Sequence, residues 1–143
     1  MSSTRACFVA LHNQQFAFDG ASVRQIVEVR HVTRVPRTPA AMLGLFAIQG
    51  VIYPLFDMLY QQAPAQKALR LAVLIGNSER VIGLAVDKVL GFMNYQIDAI
   101  TAEPPAELKA LTDGLAVSAA LTAPRIDAAA LISALTRELE VVA

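Results

Sequence analysis

The side chains with most chemical potential are Cys7, the two histidines His12 and His31, and the carboxylates Asp57 and Asp87, each of which follows an apolar run. A catalytic site needs a nucleophile, a base and a group that orients the base, brought together in space. In the sequence these residues do not cluster. Neither histidine has a nearby Cys, His or carboxylate at metal-ligand spacing, so both read as surface or half-buried histidines. Cys7 sits beside Phe8 in an alternating pattern and reads as a packed small hydrophobe. Asp57 and Asp87 read as capping or turn-forming residues. Gly44 and Gly50 suggest a phosphate loop, but Val51 and Ile52 stand where such a loop needs Lys and Ser or Thr. No metal, no nucleotide or other cofactor and no enzyme activity is expected. Arg24, Arg30, Arg34 and Arg37 gather around one predicted strand, where they form either a solvated face or a docking face for an acidic partner.

The elements that must carry these residues are short. Cys7–Leu11 and Gln15–Phe18 alternate as strands around His12, Asn13 and Gln14, with Phe16 and Phe18 on one face. Asp19 and Gly20 break that hairpin, and Ala21–Ile26 is expected to make a helical turn with Val23, Ile26 and Val27 towards the core. A strand from Val27 to about Val35 follows, closed by Pro36.

Pro39 to Asp57 is the densest stretch. Pro39 pre-sets a helical turn through Met42, which Gly44 is placed to end. Leu45–Ile48 and Val51–Tyr53 read as two strands around the Gln49-Gly50 tip, with Ile48 and Val51 facing the core. Pro54 requires a sheet edge or a barrel corner, and Asp57 is positioned to cap a short helix over Met58–Gln62. Ala68–Ile75 and Arg80–Val89 form the next hairpin, in which Gly83 marks a bulge or a close backbone approach. Gly91–Gln96 reads as a strand, and Pro104 and Pro105 open a helix to Thr112 that Gly114 ends. Leu115–Leu121 returns to strand. Asp127 caps a last helix with Leu131, Leu135 and Leu139 in one stripe and Ile132 beside it, expected to lie across the sheets.

On these residues the chain resembles the CheW-like coupling-protein family of bacterial chemosensory systems. The family pattern is a proline, four residues, a glycine, a strand ending Asn-Leu-Arg-Gly, and a strand of the type Val-Ile-x-Pro-Ile-x-Asp. Here these are Pro39, Gly44, Ala47 to Gly50, and Val51 to Asp57. A second match is Arg80 to Val89, similar to the family's Arg-Val-Val-Gly-Ile-Val-Val-Asp-x-Val, and the likeness runs in register from Phe8 to about Val89. The strand pattern alone supports a mainly β fold with flanking helices. The resemblance implies two small five-stranded SH3-like β-barrels side by side with short helices and a C-terminal helix, as one domain over 1–143 whose sub-barrel boundary lies near 61–67. It also implies a non-enzymatic adaptor that binds the regulatory domain of a CheA-type histidine kinase and the cytoplasmic tip of a chemoreceptor. Carried over position by position, the receptor groove falls on Val23, Gln25, Ile26, Leu43, Gln49 and Leu71. Gln49 replaces the arginine of the family motif, and Gly20 stands where the family usually has a branched apolar residue. That departure points to a divergent coupling protein for another chemosensory pathway, such as one controlling pili.

Composition sets outer limits. The 143 residues include 12 basic and 12 acidic side chains, which leave no general field for nucleic acid. Hydrophobic content of 55% exceeds the usual ~45–50% and favours an apolar surface reserved for partners. Met42–Phe56 falls short of the ~20 residues a spanning helix needs, and the opening Met-Ser-Ser-Thr-Arg lacks the apolar core of a signal peptide. One cysteine permits no internal disulfide. A cytoplasmic protein without membrane insertion is expected. The reading from a different class is a small ligand-binding β-barrel, or an enzyme with a pocket between the sub-barrels.

Overall fold

Continuous apolar runs become strands buried on both faces when a sheet curls over a core of its own while its other face packs elsewhere. The computed structural model, which describes residues 5–60, 71–77, 79–99, 104 and 106–142, shows this arrangement twice. In chain order the strands are β1 (Arg5–Leu11), β2 (Gln14–Asp19), β3 (Val23–Glu28), β4 (Met42–Ile48), β5 (Val51–Phe56), β6 (Leu71–Gly76), β7 (Val81–Val86), β8 (Lys88–Asn94), β9 (Gln96–Asp98), β10 (Thr112–Val117) and β11 (Thr122–Ile126). The helix α1 (Ala128–Val142) follows, and short 3-10 turns cover Gly20–Ser22 and Ala106–Leu111. One sheet has the order β8-β1-β2-β11-β10-β9 and the other β3-β6-β7-β5-β4. The fold is mainly β, with six and five strands rather than five and five. Neither sheet is closed by strand pairing among the described residues.

Alternation along the strands builds three cores. In β6, Val73 and Ile75 join a central cluster between the sheets, while Ala72 and Leu74 face a smaller cluster with Phe46 and Leu55. In β1, Cys7, Val9 and Leu11 join the central cluster, while Ala6 and Phe8 face a third, alanine-rich cluster. Phe16, Phe18 and Phe56 fill the centre and are almost wholly buried. Leu131 and Ile132 bring α1 onto the same central cluster. Asp127 caps this helix, accepting from the Ala130 N–H at 3.2 Å. The Leu139 side chain lies outside the described residues.

Two tight turns set the register. His12 and Asn13 both have positive φ, as do Gln49 and Gly50, so each pair forms a two-residue loop whose twist matches its flanking strands. The second loop explains Pro54. Ile48 pairs with Val51, Ala47 with Ile52, Phe46 with Tyr53 and Leu45 with Pro54. Hydrogen-bonded and non-bonded pairs alternate from the loop outward, so Pro54 falls on a non-bonded pair with its nitrogen towards the other edge. There the parallel pairing with β7 begins only at Leu55.

Several expectations are corrected. The helical turn after Asp19 ends at Ser22, and Val23–Glu28 is already strand, pairing with β6. The expected strand Val27–Val35 therefore lies too late, and beyond Glu28 only Thr33 makes a bridge, to Leu45. Pro39 does open the expected turn, its carbonyl accepting from the Met42 N–H at 3.0 Å, but Gly44 does not end it. Gly44 lies inside β4 at a register shift with φ +149°, because a Cβ there would stand 2.5 Å from the Thr33 carbonyl oxygen. Arg80–Val89 is not one strand: the chain leaves one sheet and enters the other at Asp87, whose N–H donates to the Ala10 carbonyl. Gly83 is a close approach without a bulge, since Phe46 occupies the space a Cβ would need. Gly114 sits within β10 and ends no helix, the preceding turn is 3-10, and β11 was not foreseen. Of the expected Met58–Gln62 helix, Met58 and Leu59 form a turn that leads into a 3-10 position at Tyr60; its last two residues and the 61–67 boundary lie outside the described residues.

The two positive-φ glycines of the β4–β5 region respond differently to a side chain. Around Gly50, with φ +83°, nothing lies within 4 Å of an added Cβ, so Gly50→Ala carries backbone strain alone, about 1 kcal/mol. Gly44→Ala adds a backbone collision and is expected to cost at least about 2–3 kcal/mol. Urea unfolding of both variants checks this order.

Candidate functional site

The expected partner-binding residues divide between the two ends of the five-stranded sheet. Val23, Gln25 and Ile26 lie on β3 and Leu71 on the adjoining β6, where Glu28 pairs with Leu71. Val23, Ile26 and Leu71 are half-buried against the central cluster, and Gln25 is exposed. Leu43 and Gln49 lie at the opposite end of the strand order. Leu43 packs half-buried against the smaller core under Phe46, and Gln49 projects from the exposed β4–β5 tip.

Exposed apolar side chains mark the surface more sharply than those positions do. Val51 is 50% and Ile52 65% exposed on β5, so Val51 does not supply the core-facing bulk expected of it. Ile48 and Val51 stand directly opposite and share a face, but Val51 opens β5 at the loop end of the hairpin, and only Ile48 packs against the smaller core. Ile52 borders an apolar groove of about 510 Å³ between β4 and residues 28–33. Phe92 on β8 and Ile97 on β9 are each 45% exposed, at the two outer strands of the six-stranded sheet. Lone exposed apolar residues are ordinary, but pairs at sheet margins suit partner contacts. The sequence signal for them was the Val51-Ile52 run beside a turn.

Arg30, Arg34 and Arg37 are exposed, but they lie on the irregular connection between β3 and β4 and not on a strand. Only Arg24 is on β3, its guanidinium reaching the Asn77 carbonyl at 3.5 Å. His31 is likewise exposed on that connection.

His12 has a structural partner that its sequence neighbours did not reveal. Its ring Nε2 lies 3.0 Å from Asp57 Oδ2, and its backbone N–H donates to Asp87 Oδ2 at 2.9 Å. Asp57 also accepts from the Leu59 N–H at 2.8 Å, which bears out a turn-forming role. The cluster links the β1–β2 turn of one sheet to the end of β5 in the other and to the crossing at Asp87. Buried His12 Nδ1 has no hydrogen-bond partner among the described residues. No three His, Cys, Asp or Glu side chains are grouped to hold a metal among the described residues. Cys7 is fully buried, and loss of solvation pushes its thiol pKa up to about 11. It is a packed hydrophobe. A polar node that the sequence did not show is Arg125, paired two-pronged with Asp113 at 2.9 and 2.7 Å and donating to Tyr95 Oη at 2.9 Å. The Asp113 hydrogen bond holds the guanidinium above its usual range against the opposing cost of partial burial. No helix among the described residues is long and apolar enough to cross a membrane.

Comparison with known proteins places this geometry. The family model described as CheW-like domain matches residues 5–136. The Chemotaxis protein CheW of Klebsiella aerogenes is 26% identical over 108 residues, covering 73% of this chain and 65% of that protein. The Probable chemotaxis protein CheW of Rhizobium etli is 30% identical over 95 residues, covering 64% of this chain and 61% of its own length. The chain thus spans just under two thirds of these curated relatives. Among solved structures, the scaffolding protein TtCheW from Thermoanaerobacter tengcongensis matches with a TM-score of 0.70 at 20% identity, over 88% of this chain and 89% of that one. At that identity the match establishes the shared fold.

The His12 cluster yields a stability prediction. His12→Ala removes the partner of a nearly buried carboxylate and is expected to cost about 1–3 kcal/mol in chemical denaturation. His12→Gly relieves the left-handed backbone as well and should lose about 1 kcal/mol less. Equal losses would show that the turn carries no strain.

Proposed function

The chain belongs to the CheW-like domain family, and from that membership we propose that it is a non-enzymatic adaptor in bacterial chemosensory signalling. Its partners in this reading are the regulatory domain of a CheA-type histidine kinase and the cytoplasmic tip of a chemoreceptor, and its place is the cytoplasm. The observation that carries the reading is the pairing of exposed apolar margins, Val51 and Ile52 on one sheet and Phe92 and Ile97 on the other, on a body with one continuous central core. Two such surfaces joined by a packed interior can hold two partners in a fixed relation. An adaptor of this kind biases a kinase by binding its states unequally, without chemistry of its own.

The receptor contact is assigned to Val23, Gln25, Ile26, Leu43, Gln49 and Leu71. The β3–β6 group supplies half-buried apolar contacts, and Gln49 supplies an exposed polar tip without charge. A charged arginine at such a tip can form a two-pronged contact with a carboxylate, which glutamine cannot. This favours a receptor that lacks the acidic partner of that arginine. The alternative of a pocket between the sub-barrels draws no support from the interior, because the space between the sheets is filled by Phe16, Phe18, Phe56 and their neighbours.

Gln49→Arg tests the assignment. The substitution lies at an exposed tip, so stability should stay within about 0.5 kcal/mol and kinase-domain affinity should not change. Affinity for an ordinary receptor-tip fragment should rise about tenfold, as a paired interfacial arginine warrants. Titration calorimetry of both proteins against both fragments measures this. Equal receptor affinities with both proteins folded would remove Gln49 from the contact.

A further inference from the structure

We infer that the open margin of β4, facing the apolar groove, receives an extended acidic-apolar segment of a partner protein by strand addition. The inference stands on the groove geometry alone and goes beyond the adaptor reading, since it fixes how one partner is held.

The ladder that would close this side of the sheet stops after one bridge. Thr33 and Leu45 exchange both backbone hydrogen bonds at 2.8 Å. In an antiparallel pair the next bonded position is two residues on, which would set His31 opposite Ala47. No such bridge forms; residues 28–31 diverge from β4 and leave the groove between them. Backbone direction follows from the same alternation. Leu45 points its N–H and C=O at Thr33, so Ala47 points its own the same way, into the groove and away from β5. An exposed strand edge of this kind is a template for another chain.

The side chains define what fits. The floor is apolar, made by Val29, Phe46 and Ile48, and suits alternate apolar side chains of an extended segment. The rim is cationic through its arginines, with Arg30 lining it beside His31 and Arg34 and Arg37 exposed on the same connection. Glu28 offsets part of this charge, but its contact with Arg30 spans 3.7 Å with the two side chains 69% and 88% exposed, a pair that water and salt largely screen. Arg30 is therefore available to an incoming carboxylate. A segment alternating apolar and acidic residues satisfies floor, edge and rim together.

A capped, fluorescein-labelled nine-residue peptide alternating valine with glutamate is the probe, followed by anisotropy on the full chain. Saturable binding is expected, weakened at least about tenfold when the peptide amides facing β4 are N-methylated, since methylation deletes the edge hydrogen bonds and leaves the side chains. Replacing glutamate by lysine, or Arg30→Glu in the protein, should also weaken binding and flatten its salt dependence. Ala47→Pro should abolish binding while leaving the melting temperature nearly unchanged, because that N–H makes no bond to β5. Absence of saturable binding overturns the inference. So does equal affinity for the N-methylated peptide, which would mean docking by side chains alone, or equal affinity for the lysine peptide. Self-association of the unliganded protein that Ala47→Pro abolishes would assign the edge to a second copy and overturn it equally.

Discussion

Everything in this fold depends on one apolar interior that two sheets share. Each sheet turns one face inward to Phe16, Phe18, Phe56, Val73 and Leu84, and the other face to a small core of its own. Neither small core is large: one is built mainly from alanines around Phe8, the other from seven buried side chains including Phe46 and Leu55. Deleting a buried phenylalanine side chain typically costs about 3–5 kcal/mol, so the central phenylalanines are where most of the separating force is resisted. The helix adds Leu131 and Ile132 to the same centre, and the His12 contacts with Asp57 and Asp87 tie the sheets at one end. A body joined in this way passes a load from one face to the other with little give, because close-packed interiors do not deform continuously.

That interior also determines what is left outside. Burying both faces of the central strands consumes the apolar alternation of β1, β6 and β7, so the surface left for the proposed partner contacts is the margins: β3, β4, β8 and β9. Phe92 on β8 and Ile97 on β9 are exposed there, and Ile52 is exposed on β5 beside the outer strand β4. Arginines occupy the irregular connection between β3 and β4, where charge discourages indiscriminate edge pairing and favours acidic partners.

Local chemistry made part of this legible. Two hairpins stood out in the sequence because alternating runs flank residues that tolerate positive φ, at Asn13 and Gly50. The Asp127 cap and the leucine stripe announced the last helix. What failed depended on contacts between distant residues. The run from Val23 to Val35 carries β-branched residues along its whole length, and only its pairing with β6 decides that the strand covers the first six residues. Gly44 looked like a helix terminus because the crossing Thr33 carbonyl that demands a glycine lies eleven positions earlier and has no sequence mark. The break at Asp87 is hidden because Asp87 and Lys88 interrupt the apolar alternation only briefly and strand character resumes at once in β8. β11 was missed because Pro124 and Arg125 interrupt its alternation. The resemblance proposes six partner-binding residues, whereas the exposure of Ile52, Phe92 and Ile97 follows from which side of each strand faces water and, beyond the Val51-Ile52 run beside a turn, has no mark in the sequence.

The proposal that this chain joins two proteins through a rigid body is tested most directly by sedimentation velocity of the three components together. With a kinase regulatory domain and a receptor-tip fragment both present above their individual dissociation constants, one species containing all three is expected, its mass equal to the sum. Mutual exclusion, in which either fragment displaces the other, would contradict the adaptor role even if each binds alone.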